Sequence, residues 1–245
     1  MAVTGDFLRG RGRSILSAQE LDILEQMVDR VELLPARSVV TRRGDRLRES
    51  MLLIEGAMCR YLDARDGYRQ LLAFHVPGDF VDMHGYTLHR LDHDVATIVD
   101  SRVAMVPHDR IDAIMRDHPR IAWMLWRSTL LDAAMHREWI FRLGRLDAAG
   151  RLAHFLCEVS ERMAVIGRVR DGAFTLPLTQ QDLGEACGLT SVHVNRTLRR
   201  LREEGIADVA RGEARIFDKA KLARVAEFDP DYLYLDGGPW AEPQD

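Results

Sequence analysis

Apolar residues near the start of the chain recur three and four positions apart. Leu21, Leu24 and Val28 share one face, and Ser17 with Glu20 forms a capping-box pattern, so a helix is predicted over residues 17–31. From Leu33 the period changes. Short β-prone runs at 38–41, 50–55, 57–62, 68–75, 95–99 and 102–107 are punctuated by Gly44, Gly56, Gly67 and Gly78, and glycines 11 or 12 residues apart give the cadence of hairpins stacked into a sandwich or roll. A short helix at 109–115 and a longer one from Pro119 to about Arg142 follow. In the longer helix Met124, Ser128, Leu131 and Met135 keep a 4-3-4 spacing like that of a coiled coil, while Trp123, Trp126, Leu130 and Ala133 load a neighbouring stripe. Two apolar stripes need two partners, the helix's own β-domain and the same helix of a second subunit. Gly144 then interrupts, Asp147 caps a new helix over 148–163, and residues 143–147 are the expected hinge.

The most informative stretch is 178–209. Thr179 caps a short helix with Asp182 as the acid of a capping box, Leu183 and Ala186 face inward, Gly188 ends the helix, and Thr190 caps the next. In that second helix, predicted over 190–202, Val194, Leu198 and Leu201 form the buried stripe. The opposite side carries Val192, Asn195, Arg196 and Arg199, with Ser191 at the leading end and His193 and Arg200 on the flanks. No core is built from such residues, but they suit a DNA major groove: Arg pairs bidentately with guanine, Asn with adenine, and valine methyls meet a thymine methyl. Gln180, Thr190 and His193 lie near helix starts, where phosphate oxygens would sit. Downstream, 206–209 and 214–217, joined by Arg211-Gly212-Glu213, read as a two-stranded wing in which Arg211 and Arg215 could touch a phosphate.

Bulk composition narrows the rest. A chain of 245 residues exceeds one such module, and a net charge of −4 excludes a general polyanion binder, so the basic residues act locally. Cys59, Cys157 and Cys187 show no paired spacing and no secretory signal precedes them; no apolar run is long enough for a membrane span. A cytoplasmic protein with reduced thiols, no membrane association and no cofactor is expected. An enzyme is the second class considered, because His154, Cys157 and Glu158 lie one turn apart, yet Leu152, Phe155, Leu156 and Val159 surround them in a core-like pattern. No catalysis is expected. From 229 to 245 the chain is rich in Asp, Gly and Pro with Tyr232, Tyr234 and Trp240 interleaved, and partial docking of 232–235 is expected.

Arg43-Gly44-Asp45, Glu55-Gly56, Pro77-Gly78-Asp79-Phe80, Leu146-Asp147, Gly150-Arg151 and the block from Leu178 to Gly205 together resemble the Crp/Fnr family of bacterial transcription regulators. The resemblance implies an α+β chain: a cyclic-nucleotide-binding-like β-roll (jelly-roll) sensor with its N-terminal helix at 1–108, a short helix and dimerisation helix at 109–144, a winged helix-turn-helix at 145–228 and a tail at 229–245. It implies a homodimer reading a palindromic operator in double-stranded DNA, with Ser191, Val192, Asn195 and Arg196 at the base-contacting positions; RNA polymerase is a further partner to consider, and the small-molecule effector stays unknown. Where the family's cyclic-nucleotide cassette has a glutamate, an arginine and a serine, this chain has Met83, His93 and Asp94, and His136 and Arg137 replace the hydroxyls that meet the base. An aspartate facing a phosphate is repulsive, so cyclic AMP binding is not expected. Three cysteines, none before Cys59, do not provide the four of the iron-sulfur branch. His75, His84, His89 and His93 with Asp82, Asp92 and Asp94 make a histidine-rich group whose spacing fits no fixed metal motif, so no metal is expected, with His84, His89 and His93 as the weak candidates for a metal- or haem-responsive sensor. A β-roll module acting through a protein partner is the remaining alternative.

Overall fold

A computed structural model describes residues 2–236 of the chain. Leu62–Ala73 and Met135–Tyr232 form one compact unit, and the remaining described residues another.

In the latter unit, helix α1 (Ala18–Gln26) begins with the expected reciprocal Ser17–Glu20 cap. It ends at Gln26 and not near residue 31, because strand β1 (Arg30–Leu34) leaves to pair antiparallel with β7 (Ser101–Pro107). A partner strand far along the chain overrides local helical spacing there. Strands β2 (Val39–Thr41), β3 (Glu49–Glu55), β4 (Met58–Asp63), β5 (Arg69–His75) and β6 (Asp94–Thr97) fall on the predicted runs. They build two antiparallel sheets, ordered β1-β7-β3 and β2-β6-β4-β5, and a four-residue helix α2 (Gly85–Leu88) that periodicity could not signal precedes β6. Met51, Leu53, Met58, Val81, Val95 and Val103 fill one core cluster. A second joins Leu24, Leu52, Phe80 and Ala104 to Ile111 of α3 (His108–Asp117) and to Ile121, Met124, Leu125 and Leu131 of α4 (Pro119–Arg145).

The two stripes of α4 differ as a two-partner helix requires. Met124 and Leu131 are buried in the chain's own core, whereas Trp126, Leu130 and Ile140 are 60%, 53% and 72% exposed. The stripe with coiled-coil-like spacing is therefore the inward one, and the neighbouring stripe is open. Helix α4 also runs through Gly144 to Arg145, so only Leu146 and Asp147 leave helical structure at the expected hinge.

Helix α5 (Ala148–Val165) starts on Asp147, whose Oδ1 accepts from the Gly150 amide at 2.8 Å. After it come β8 (Ala173–Thr175), α6 (Gln180–Cys187), α7 (Ser191–Glu203), β9 (Ala207–Ala210), β10 (Glu213–Ile216) and α8 (Lys219–Ala226). The wing is thus a three-stranded sheet, β8-β10-β9, with one more strand than its sequence signalled, and α8 packs on α5. The Tyr232 hydroxyl donates to Glu158 at 3.0 Å and Leu233 is buried, so docking holds for those two, while Tyr234 is 36% exposed. Trp240 lies outside the described residues. Among the described residues no helix is long and apolar enough to cross a membrane.

Candidate nucleic-acid interface

Both caps of the 178–209 stretch form as expected. Thr179 and Asp182 close a reciprocal capping box on α6, and the Thr190 side chain accepts from the His193 amide at 3.3 Å to start α7. Gly188 ends α6 at φ 62°, a left-handed conformation that glycine adopts without strain. Gly184 was not singled out by pattern, yet a Cβ there would meet the Leu189 carbonyl at 2.4 Å. The turn between the helices is that close.

Val194, Leu198 and Leu201 are buried, and Thr197, which the stripe did not include, joins them. Burial of each aliphatic side chain contributes roughly 1.5–3 kcal/mol, enough to fix which face of α7 points outward. Ser191, Val192, His193, Asn195, Arg196 and Arg199 are all exposed, as are Thr190 and Gln180. Val192 is 67% exposed, so its methyls stand open on this face. Asn195 Nδ2 lies 3.4 Å from Gln180 Oε1, so one residue predicted to touch phosphate and one predicted to read a base are neighbours across the turn. Arg199 and Arg200 approach Glu203 and Glu204 only at 3.9 and 3.8 Å, as exposed pairs that add little stability and leave both guanidiniums available. On the wing, Arg215 is engaged by Glu213 at 3.4 Å and Arg211 is exposed at φ 53°.

The histidine-rich group divides. His84 and His93 bring their rings to 5.2 Å, whereas His89 is exposed at the end of α2 with φ 60°. His93 is buried and bonded to Asp92 at 2.8 Å, Met83 is buried, and Asp94 accepts from the Arg43 amide at 2.6 Å. Beside them the buried Arg60 guanidinium pairs with Asp132 of α4 at 2.6 Å and donates to the Val81 carbonyl. Burial, and then the Arg60 charge, pushes His84 down to about 3 and His75 to about 4, so both rings are neutral near pH 7. Among the described residues no group of three or more His, Cys, Asp or Glu side chains is arranged to hold a metal ion.

His154, Cys157 and Glu158 are buried, and burial pushes the Cys157 thiol up to about 12, the opposite of what a nucleophile needs. Glu158 accepts from Trp139, Arg162 and Tyr232, and His154 faces Glu138 at 3.1 Å, so the three residues serve the interior of the fold.

Two family models match the chain: the cyclic nucleotide-binding domain at residues 31–118 and the Crp-like helix-turn-helix domain at 150–225. The chain is 28% identical over 195 residues to the regulatory protein HlyX of Actinobacillus pleuropneumoniae, covering 79% of this chain and 80% of that one. It is 27% identical over 214 residues to the nitrogen fixation regulation protein FixK of Bradyrhizobium diazoefficiens, covering 87% and 88%. Its fold matches the solved structure of FixK2 from Bradyrhizobium japonicum with a TM-score of 0.72 at 23% identity, over 80% of this chain and 96% of that one.

Proposed function

Since the chain belongs to the Crp/Fnr family of transcription regulators, with a DNA-binding helix-turn-helix and a cyclic-nucleotide-binding-like domain, we propose that it acts as a homodimer whose α7 helices read the two halves of a palindromic operator. The single observation that carries this reading is the open face of α7. Ser191, Val192, Asn195 and Arg196 contact base edges, Arg199 follows along the groove, and Gln180, Thr190 and His193 hold flanking phosphates. The exposed stripe of Trp126, Leu130 and Ile140 on α4 is the seam that brings two copies together, which places the half-sites about one helical turn apart.

The effector of the β-roll is not cyclic AMP, nor is an iron-sulfur cluster its sensor. Met83, His93 and Asp94 offer no anchoring cation to a phosphate, because His93 is held toward neutrality by burial and Asp94 is an acid. Selection from a random-sequence DNA library tests the main reading. Enrichment of a palindrome with two half-sites is expected, and recovery of unrelated sequences would overturn it. For the effector, calorimetry with cyclic AMP is expected to show no binding, and a low-micromolar affinity would refute that part.

A further inference from the structure

The end of α6 poses a problem that the recognition helix alone does not solve. The last carbonyls of a helix have no partner within it. Gly184 O is met by the amides of Gly188 and Leu189, but the next two carbonyls are left to side chains from outside. Gln70 Nε2 donates to Glu185 O at 2.7 Å, Arg142 Nη2 donates to Ala186 O at 2.9 Å, and the Tyr68 hydroxyl adds a bond to Gly184 O at 3.3 Å. Three successive carbonyls are thus gripped by two separate elements of the same compact unit: the tip of the β4–β5 hairpin and the last turns of α4.

Both gripping elements are themselves held by contacts of their own. Arg142 is fully buried, its guanidinium 3.9 Å from the centre of the Trp139 ring, and its positive charge faces the negative end of α6. At the hairpin tip, Ala64 N donates to Tyr68 O at 2.7 Å, Tyr68 N donates to Asp66 Oδ1 at 3.0 Å, and Arg69 pairs with Asp63 at 2.9 Å.

We propose that Tyr68, Gln70 and Arg142 are positioning residues for DNA recognition, fixing α6, and with it α7, at one orientation to α4 so that two recognition helices are held at a single separation. This rests on the reading of α7 as the groove-entering helix and α4 as the dimer seam. Helix α7 follows α6 through a turn too close for a Cβ at Gly184, so the pair moves as one body. The only non-helical residues between α4 and α5 are Leu146 and Asp147, about which that body would otherwise turn. Without the grip each α7 still fits its half-site, but nothing enforces the distance between the two.

The test uses the full chain and a palindrome selected from a random-sequence library by the unmodified protein. Companion duplexes have the spacer lengthened or shortened by one and two base pairs, and one carries an isolated half-site. The double substitution Tyr68→Phe with Gln70→Met removes both hairpin donors at nearly constant volume, at one exposed and one partly buried position. The variant is expected to bind the selected full site roughly tenfold more weakly, the equilibrium effect of one or two net hydrogen bonds. It is expected to bind altered spacings almost as well as the selected one, with half-site affinity unchanged and Tm lowered by only about 2–4 °C. Arg142→Lys, which keeps the buried charge but loses the flat contact with Trp139 and the Nη2 that reaches Ala186 O, should relax spacing in the same direction. Undiminished spacing discrimination in the double variant would overturn the proposal, as would an equal loss of half-site affinity, which would mean damage to the reading helix itself. Failure of the unmodified protein to enrich any sequence would instead sink the DNA-reading proposal, and this one with it.

Discussion

Helices α5 and α7 both carry charges at helical spacing, yet they use them in opposite ways. On α7 the guanidiniums stand in solvent beside distant, exposed glutamates. On α5, Glu158 and Arg162 are almost wholly buried, and Glu158 is fixed by Trp139, Arg162 and Tyr232. The difference teaches that charge is a poor guide to location and partner supply a good one. An exposed, loosely paired charge can exchange solvent for a phosphate or a base at small cost, whereas a buried paired charge is committed to the fold. Substitutions on α7 should therefore change binding and spare stability, and those on α5 the reverse.

The sharpest test is Glu158→Ala, which takes a buried carboxylate away from the Arg162 guanidinium and leaves the Trp139 indole and the Tyr232 hydroxyl without their common acceptor. A loss of roughly 3–5 kcal/mol in urea denaturation is expected. A loss below about 1 kcal/mol would show that burial of charge here is not structural.

Acid should act on the buried side of the comparison. His75 and His154 are depressed to about 4 and His84 to about 3 from 6.5, chiefly by burial, so between those limits the unfolded chain binds protons that the folded chain refuses. Their contribution is fully present above pH 6.5 and is lost as pH falls toward 4. Asp82 opposes this: burial raises it from 3.8 to about 7, so its contribution is present below 3.8 and lost as pH rises through 7. The lowered imidazoles, with His93 and His108 among them, outnumber Asp82 and the other raised carboxyls, Glu138 and Asp231, so stability declines on balance from pH 6.5 to 4. Denaturation midpoints across that range check the sign, and rising stability on acidification would contradict it.

The two helices were also unequally legible. The caps, turn glycine and buried stripe of α7 lie within 179–201, so local spacing was enough to place its outward face. The apolar residues around Glu158 follow a core-like pattern, but they do not show that its charge and that of Arg162 are buried, since an i,i+4 ion pair is the usual sign of a solvated helix face. Strand β1 was lost to an overextended helix because its partner β7 lies at the far end of the sensor sequence, and the third wing strand, Ala173–Thr175, is too short to show a period. Among the positions that serve the interface, Tyr68, Gln70 and Arg142 were invisible as a group. Their common target, the end of α6, is brought to them only by the fold.

On the exposed side, Arg196→Ala is expected to weaken specific operator binding by about 1–3 kcal/mol and relax sequence preference at one position of each half-site. Its unfolding free energy should stay within about 0.5 kcal/mol of the parent, because the side chain stands in solvent. A gel-shift series paired with urea melts reads both. Equal losses in the two would place Arg196 with the α5 residues and blur the distinction.

The smallest effect falls where the two roles meet. Thr190 caps α7 through its bond from the His193 amide and also stands where a phosphate is expected, so Thr190→Ala, at about 1 kcal/mol of stability, cannot separate cap from contact. Thr190→Asn and Thr190→Asp can. Both side chains cap at least as well as threonine, and a carboxylate at a helix start is favoured by the helix dipole, so neither variant should lose stability. Only the aspartate sets a negative charge against DNA. If Thr190 faces phosphate, the asparagine variant binds the operator like the parent while the aspartate variant binds more weakly at low salt, with the gap narrowing as salt screens the repulsion. Indistinguishable binding by the two variants would make Thr190 a cap alone and move the phosphate contact to Gln180 and His193.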